Sequence, residues 1–417
     1  MFDVIDLNLI DHFYQFAADE CLPRLGAWAA RTVEAVDTGP GYRDAAISPA
    51  EVVWQYPRSN SAERCTALLW LRDRLGDPRF EVLAKRYADR MMEVSRHGLL
   101  DAPGEAVDGG VWYWRDVGLY MTNYTMRVPA AFLQLAAAFG ETSYHDAALR
   151  AGENLLRMQM PCGVLSAGGY PSFAQPSSEI LRHWLPKHRV NSRVGFAVYP
   201  LAMLWAATGD SRYSDALDRL ADAISHLQHP DGAFGQDWRT DRLSEYEPQV
   251  KGHFHAYLLY GLARAAELVP QRPLLARITA RLADYVSNCI WRYGAAAYGD
   301  ALSGSNSEPL RLWRAAVWDA VPGLAVAARV TEQPRHRAAA QLLAVQAMLR
   351  AWNCPEDPDR HGAIPVRAEE AGEPWFLGGH FHFWLLLGLM ELGAETHAHT
   401  QPRLVAPQVT DASDHEL

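Results

Sequence analysis

Hydrophobic positions along the chain fall into two alternating kinds of helical segment. Segments such as 123–140 and 191–209 are apolar nearly all round. The segment after each, such as 211–228, repeats its apolar residues at the helical period and carries Arg and Asp on the other face. A helix that is apolar on every side is buried on both sides, and an amphipathic helix covers it from outside. The pattern therefore predicts alternating inner and outer helices.

The alternation repeats along the chain with a period of roughly 60–70 residues, which is typical of repeat architectures. In the first half of the chain, the turn between the two helices of a pair contains Gly76, Gly140 or Gly209, and an Asp, Ser or Thr that follows can cap the next helix. The turns of the second half are weaker. The predicted helices are 6–34, 60–76, 79–95, 123–140, 143–159, 191–209, 212–228, 252–268, 271–289, 309–330, 333–353 and 377–394.

Six buried and six covering helices predict an all-α fold, the closed (α/α)6 toroid. An open solenoid is disfavoured because polar capping repeats are missing from the ends of the series. No linker or change in composition divides the chain, so we expect one domain, 1–396, followed by a polar tail, 397–417. Long loops rich in Gly, Pro and Trp enter the N-termini of the inner helices, which predicts a functional site on that face. These loops are 98–122, 160–190, 229–251, 290–308 and 354–376.

Charge and cysteine content exclude several function classes. The chain has 39 Lys and Arg against 49 Asp and Glu, a net charge of −10, with no basic block, so neither nucleic acid nor an anionic membrane is an expected partner. Its 5 cysteines include no CxxC pair, which argues against a disulfide framework or a structural zinc site. We expect a cytoplasmic protein without a secretory signal, membrane span, metal or cofactor, and a homodimer is compatible with the sequence.

A duplicated motif is the strongest candidate for chemistry. Gly-His-Phe-His opens the predicted helix at 252 and recurs at 379, so His253, His255, His380 and His382 are candidate catalytic residues. Histidine exchanges protons near neutral pH, and two histidines on opposite sides of a sugar carbon suit removal and return of a proton. The alternatives are that the motif serves packing or, less well supported, that it binds a metal.

Aromatic, basic and acidic residues near the same face are candidates for substrate binding. Trp and Tyr number 14 and 17, and such rings stack on sugars or fill cores. Arginine on an apolar helix needs a partner, either a substrate group or a buried carboxylate. Asp319 is the best-placed carboxylate, with Asp116, Asp237, Glu245 and Glu247 also near the loops. The candidate binding residues are Arg64, Trp112, Trp114, Asn123, Tyr124, Arg193, Tyr257, Asp319 and Trp384.

Three sequence runs resemble the N-acylglucosamine 2-epimerase superfamily of sugar epimerases and aldose–ketose isomerases. They are the stretch 63–79 with its LGDPR end, the GGVWYW loop at 109–114, and the opening of the last helix. The resemblance covers about 50–396 and implies an acid/base histidine at the start of the eighth and twelfth helices, with Arg64 on the sugar. The chain departs from the family at Ala256, where Glu is usual, and at 196–199, where a histidine is often found.

The leading hypothesis from the sequence is a sugar epimerase or isomerase that acts on a mono- or oligosaccharide. His253 or His255 would abstract a proton next to the sugar carbonyl and His380 or His382 would return one, while Arg64 holds the charged oxygen. The alternative is a polysaccharide lyase with Tyr257, Tyr124 or a histidine as base, or a glycoside hydrolase with Asp319 and a loop carboxylate. A third hypothesis is a non-catalytic sugar-binding toroid.

Overall fold

The computed structural model contains twelve α-helices in the part of the chain that it describes. That part comprises residues 6–34, 42–48, 51–55, 62–96, 108–110, 112–114, 119–120, 125–165, 189–234, 237–239, 252–301, 317–351, 353–357, 361–367, 375–376 and 379–393. The helices are α1 (Leu7–Glu34), α2 (Ala62–Leu75), α3 (Arg79–Arg96), α4 (Val128–Phe139), α5 (Thr142–Met158), α6 (Val198–Thr208), α7 (Ser211–Leu227), α8 (Gly252–Leu268), α9 (Pro273–Ala301), α10 (Ala320–Thr331), α11 (Pro334–Arg350) and α12 (Gly379–Gly393).

The helices form two closed concentric layers. Each even-numbered helix contacts the next even-numbered one, and α12 contacts α2, which closes the inner ring. Odd-numbered helices cover this ring from outside, and α11 packs against α1. The structure thus confirms the predicted all-α (α/α)6 toroid of six inner and six outer helices. The domain end at 396 and the tail 397–417 lie outside the described residues and stay predictions.

Glycines at the turns between inner and outer helices adopt the left-handed conformation that the sequence predicts. Gly76, Gly140 and Gly209 have φ values of 66°, 69° and 70°. An L-residue pays a steric penalty in this region, whereas glycine does not. At the equivalent place after α10, Glu332 adopts φ 54° and is the one non-glycine residue with positive φ in the described ranges.

Three inner helices begin later than the hydrophobic pattern predicts. The predicted starts are 123, 191 and 309, whereas α4, α6 and α10 begin at Val128, Val198 and Ala320. Each start lies one or two residues before a proline, at 129, 200 and 322. Proline lacks the amide hydrogen and clashes with the carbonyl four residues earlier, so an α-helix starts just before it. The stretches 192–197 and 317–319 form 3₁₀-helix instead.

The loops contain short antiparallel strands that hydrophobic alternation did not predict. They are β1 (Tyr42–Ser48), β2 (Glu51–Gln55), β3 (Trp112–Trp114), β4 (Leu119–Tyr120), β5 (Arg189–Asn191), β6 (Asp237–Arg239), β7 (Pro365–Arg367) and β8 (Trp375–Phe376). Strands β2-β1-β8-β7 form one sheet, β3 pairs with β4, and β5 pairs with β6. Most are too short for a period of two to be visible in the sequence.

Helix α9 is longer than the sequence predicts. Helix α9 continues to Ala301, so the loop expected over 290–308 is helical in its first part. Among the described residues, no helix combines the length and the apolar character that a membrane span requires.

Candidate functional site

Polar and aromatic side chains gather at the N-terminal ends of the inner helices. Arg127 precedes α4, Phe196 precedes α6, and Asp319 precedes α10. Tyr257 and Trp384 lie in the second turns of α8 and α12. All five side chains are buried, with at most 8% of their surface exposed. Because these helices surround one axis, residues that are far apart in sequence meet at this end of the ring.

Three aromatic rings and one guanidinium form the centre of this cluster. The ring centroids of Phe196 and Tyr257 are 4.8 Å apart, and those of Tyr257 and Trp384 are 4.9 Å apart. The Arg127 guanidinium carbon lies 3.7 Å from the Phe196 centroid and 5.3 Å from that of Tyr257. These distances are within the range of cation–π attraction, so the rings hold a positive charge at the centre of the barrel.

Asp319 places a carboxyl group beside this cluster. Its side chain is fully buried, and neither carboxyl oxygen accepts a hydrogen bond of ordinary geometry from the residues that the structure describes. Burial raises the pKa of the Asp319 carboxyl well above its usual range, and the Tyr257 hydroxyl and the Arg127 charge offset only part of that effect. Burial therefore favours the protonated form of the carboxyl.

Two glycines let the segment that carries Phe196 approach α8. A methyl group on Gly261 would lie 2.2 Å from the carbonyl oxygen of Gly195, and one on Gly195 would lie 2.1 Å from Leu258 Cδ1. Both distances are too short for non-bonded atoms, so any side chain at either position would push the segment away. This close packing fixes the Phe196 ring against Tyr257.

His255 lies between the two helix layers rather than in the barrel centre. Its Nε2 accepts a hydrogen bond of 2.9 Å from the Phe234 amide, and its ring centroid is 5.6 Å from that of Tyr285 on the outer helix α9. Phe234 ends the turn 229–234, in which a methyl group on Gly232 would lie 2.2 Å from the Arg281 carbonyl oxygen. The placement favours a structural role for His255.

His382 also faces the outer layer. Its Nε2 is 3.0 Å from the Leu25 carbonyl oxygen on α1, and its ring lies 4.4 Å from Trp28. An imidazole nitrogen so close to a carbonyl oxygen carries the hydrogen and donates it. Burial, and to a lesser degree the Arg64 charge, lowers the pKa of His382 to about 4, although the bond to Leu25 acts in the opposite direction. The neutral ring is thus engaged with the backbone, and the described histidines of the duplicated motif do not meet.

Arg64 packs away from the cluster. Its guanidinium carbon is 5.2 Å from the Phe383 ring and 5.7 Å from the ring of Tyr87 on the outer helix α3. Thr66, two residues further along α2, instead lines a small cavity inside the inner ring. The sugar contact expected of Arg64 therefore has no support from its position, and Arg127 is the arginine at the barrel centre.

The remaining predicted residues have side chains outside the described part of the chain. Asn123 and Tyr124 lie wholly outside it. The backbone positions of five others are described, but not their side chains: His253 and His380 in the first turns of α8 and α12, Arg193 in the 3₁₀ turn 192–197, and Trp112 and Trp114 in β3. The loop carboxylates Asp116, Glu245 and Glu247 lie outside the described residues, and Asp237 lies in β6.

Arg127 and Phe196 are the cluster residues that sequence analysis missed. Arg127 stands alone in the apolar run 123–140, which is the same signal that drew attention to Arg64. The proline at 129 also marks Arg127 as the residue before a helix start. Phe196 carries no sequence signal that separates it from other core aromatics.

A chain of hydrogen bonds and ion pairs links all six inner helices deeper in the barrel. Thr66 Oγ1 is 2.6 Å from Gln134 Oε1, Gln134 Nε2 is 3.3 Å from Tyr199 Oη, and Arg264 Nη2 donates to the same oxygen at 3.0 Å. We name this group the basal belt: Thr66 (α2), Gln134 (α4), Tyr199 (α6), Arg264 and Glu267 (α8), Arg329 (α10) and Glu391 (α12).

The ionic half of the basal belt joins α8, α10 and α12. Of these helices, α8 carries Tyr257, α12 carries Trp384, and α10 directly follows Asp319. Arg329 contacts Glu267 at 2.7 Å and Glu391 at 2.8 Å, and Arg264 contacts Glu267 at 2.6 Å. The Glu267 pKa is lowered because the two guanidinium groups outweigh burial. Two cations thus balance two carboxylates. In the described residues, no group of three or more His, Cys, Asp or Glu is arranged to hold a metal ion.

Comparisons with known proteins find similarity in structure alone. No protein-family model and no curated protein matches the sequence. A solved unsaturated glucuronyl hydrolase specific for heparin superposes with a TM-score of 0.64 at 13% identity, over 93% of this chain and 98% of that one. The fold is shared.

Two further solved structures agree with that result. The unsaturated glucuronyl hydrolase of Bacillus sp. GL1 gives a TM-score of 0.62 at 14% identity and covers 92% of this chain and 97% of its own. An inactive variant of the α-1,6-mannanase of Salegentibacter sp. HEL1_6, bound to α-1,6-mannotriose, gives 0.60 at 10% identity over 88% and 98%. Two of the three are named as unsaturated glucuronyl hydrolases and the third as a mannanase, and none is named as an epimerase.

Proposed function

We propose that this protein cleaves glycosidic bonds in oligosaccharides, with Asp319 as the acid that protonates the leaving oxygen. The observation that carries the proposal is the buried Asp319 carboxyl at the end of the ring where the inner helices begin. Burial raises the pKa of this carboxyl well above its usual range. Glycoside hydrolases need one carboxyl group that stays protonated until it donates. Aromatic faces such as Trp384 and Tyr257 suit the apolar faces of sugar rings.

Glycosidic cleavage also needs a second carboxylate, which acts as base or nucleophile. Asp237 is our candidate. In β6 it pairs with Asn191 of β5, and the 3₁₀ turn that carries Phe196 starts at the next residue. This backbone pairing supports a position for Asp237 near the N-terminal ends of the inner helices, close to the cluster.

This proposal replaces the two-histidine epimerase mechanism as the leading hypothesis. His255 and His382 bond to backbone groups between the layers. Positions 253 and 380 precede Tyr257 and Trp384 by one helical turn, so His253 and His380 are the members of the motif that an epimerase would use. A lyase is the second candidate, because the Tyr257 phenol lies beside Arg127, which suits proton abstraction next to a uronate carboxylate.

Proton NMR of oligosaccharide mixtures in D2O distinguishes these reactions. We expect new reducing-end anomeric signals with the unaltered protein, none with Asp319→Asn or Asp237→Asn, and unchanged cleavage with Asp222→Asn on the exposed face of α7. A vinylic H4 signal would assign a lyase instead. Deuterium at a carbon of an intact monosaccharide would restore the epimerase hypothesis.

A further inference from the structure

A small cavity lies between the aromatic cluster and the basal belt, because Arg127 and Phe196 of the cluster and Thr66, Gln134 and Tyr199 of the belt line it. Its volume is about 50 Å³. A single water molecule needs roughly 10–15 Å³ on such a measure, so the space holds a group of about three to five non-hydrogen atoms. Five side chains supply its polar lining, namely Thr66, Arg127, Gln134, Tyr199 and Tyr260.

The polar groups of the cavity are mainly hydrogen-bond donors. The Tyr199 oxygen already accepts bonds from Gln134 and Arg264. Its own hydrogen has no acceptor among the described residues and is available to a ligand. The Gln134 amide nitrogen uses one of its two hydrogens for Tyr199, while the Gln134 oxygen is engaged by Thr66. Arg127 adds positive charge and further donors.

The carboxylates nearest the cavity are already matched. Glu267 and Glu391 belong to the basal belt and pair with Arg264 and Arg329. The Tyr260 hydroxyl is 3.3 Å from Glu391, so it points toward the basal belt. These carboxylates are thus engaged with the cations of the basal belt.

We infer that the cavity is a subsite for the carboxylate of an acidic sugar, held by Arg127, Tyr199 and Gln134. A carboxylate has three non-hydrogen atoms and accepts hydrogen bonds only, which matches both the size and the donor lining of the cavity. This inference rests on the proposed function, since it specifies the substrate class of the same site. It assigns Tyr199 and Gln134 as residues that determine specificity.

Calorimetric titration of the Asp319→Asn variant tests the subsite without turnover. We expect glucuronate to bind at least about tenfold more tightly than glucose, which differs only in having a hydroxymethyl group in place of the carboxylate. Tyr199→Phe should weaken glucuronate binding by about tenfold and leave glucose binding unchanged. Tyr213→Phe, which removes a hydroxyl from the outer helix α7, is the matched control.

Gln134→Met serves as a second variant if Tyr199→Phe does not fold, because it also removes a donor at nearly constant volume. Equal affinity for glucuronate and glucose, tighter binding of N-acetylglucosamine, or unchanged glucuronate binding in both variants would overturn the subsite. If glucuronate binds as expected but no oligosaccharide is cleaved, the proposed function fails and the subsite stands.

Discussion

The two described histidines of the duplicated motif each form a hydrogen bond to a backbone group through a ring nitrogen. His255 accepts from the Phe234 amide, and His382 donates to the Leu25 carbonyl. Each bond joins an inner helix to a loop or to the outer layer. The motif therefore ties the layers together through its second histidine.

The lowered pKa of His382 predicts a pH-dependent stability. Its pKa falls from the usual 6.5 to about 4, so the unfolded chain binds more protons between these values and stability is lost as pH falls through that window. From pH 7 to pH 5 this site should cost about 2 kcal/mol in the free energy of unfolding. Urea denaturation at both pH values measures the effect.

A His382→Gln variant should lose less stability between pH 7 and pH 5, because glutamine still donates to Leu25 but does not titrate. His226→Gln on the exposed face of α7 is the control and should keep the full pH dependence. An identical pH dependence in His382→Gln and the unaltered protein would contradict the account.

The structure places an arginine, a carboxyl group and aromatic rings at the barrel centre, and some of these residues were candidates from the sequence. Asp319, Tyr257 and Trp384 were candidates and lie together, whereas Arg64 was chosen and Arg127 was not. Arg64 shares the helix face of the buried residues Leu68 and Leu71, while Thr66 faces the cavity. A helix that is apolar on every side has no polar face from which its rotation can be inferred.

At the scale of elements, helix identity was predictable and helix starts were not. The 3.6-residue period of the outer helices, the apolar inner segments between them and the glycine turns of the first half together predict all twelve helices. The late starts of α4, α6 and α10 follow from prolines, whose local effect is not part of the hydrophobic pattern. These starts matter for function because Arg127 and Asp319 are the residues just before α4 and α10.

The contact between α8 and the turn 192–197 predicts a sensitive position at Gly261. Gly261→Ala should destabilise the protein by about 2 kcal/mol or more, because its methyl group would overlap the Gly195 carbonyl oxygen. The turn should move, and Phe196 with it, so catalytic turnover of the folded fraction should also fall. Thermal unfolding and steady-state kinetics measure the two effects.

Gly393→Ala is the control for Gly261, because no atom of the described residues lies within 4 Å of a methyl group at that position. It should leave both stability and turnover close to those of the unaltered protein. If Gly261→Ala behaves like this control, the tight packing does not fix the turn.

On the scale of the whole molecule, the basal belt connects the six inner helices beneath the site. Glu391→Gln would leave the partly buried Arg264 and Arg329 with only Glu267 as a counter-charge. Breaking a buried ion pair from one side costs about 3–5 kcal/mol, so we expect a loss of that size in the free energy of urea unfolding.

Asp73→Asn, which removes one partner of a largely exposed pair with Arg72, should cost under about 1 kcal/mol. Equal losses in the two variants would show that the belt adds nothing to stability.

The central claim is that Asp319 donates the proton to the leaving group, and its most direct test is the leaving-group dependence of Asp319→Asn. The variant should lose about 10²–10⁴-fold in kcat on an oligosaccharide, whose leaving group needs a proton. It should keep most of its activity on the matching glycosyl fluoride or dinitrophenyl glycoside, whose leaving groups do not. Because burial disfavours the charged carboxylate at this position, a neutral asparagine should not lower folding stability. An equal loss of kcat on both kinds of substrate would contradict the assignment.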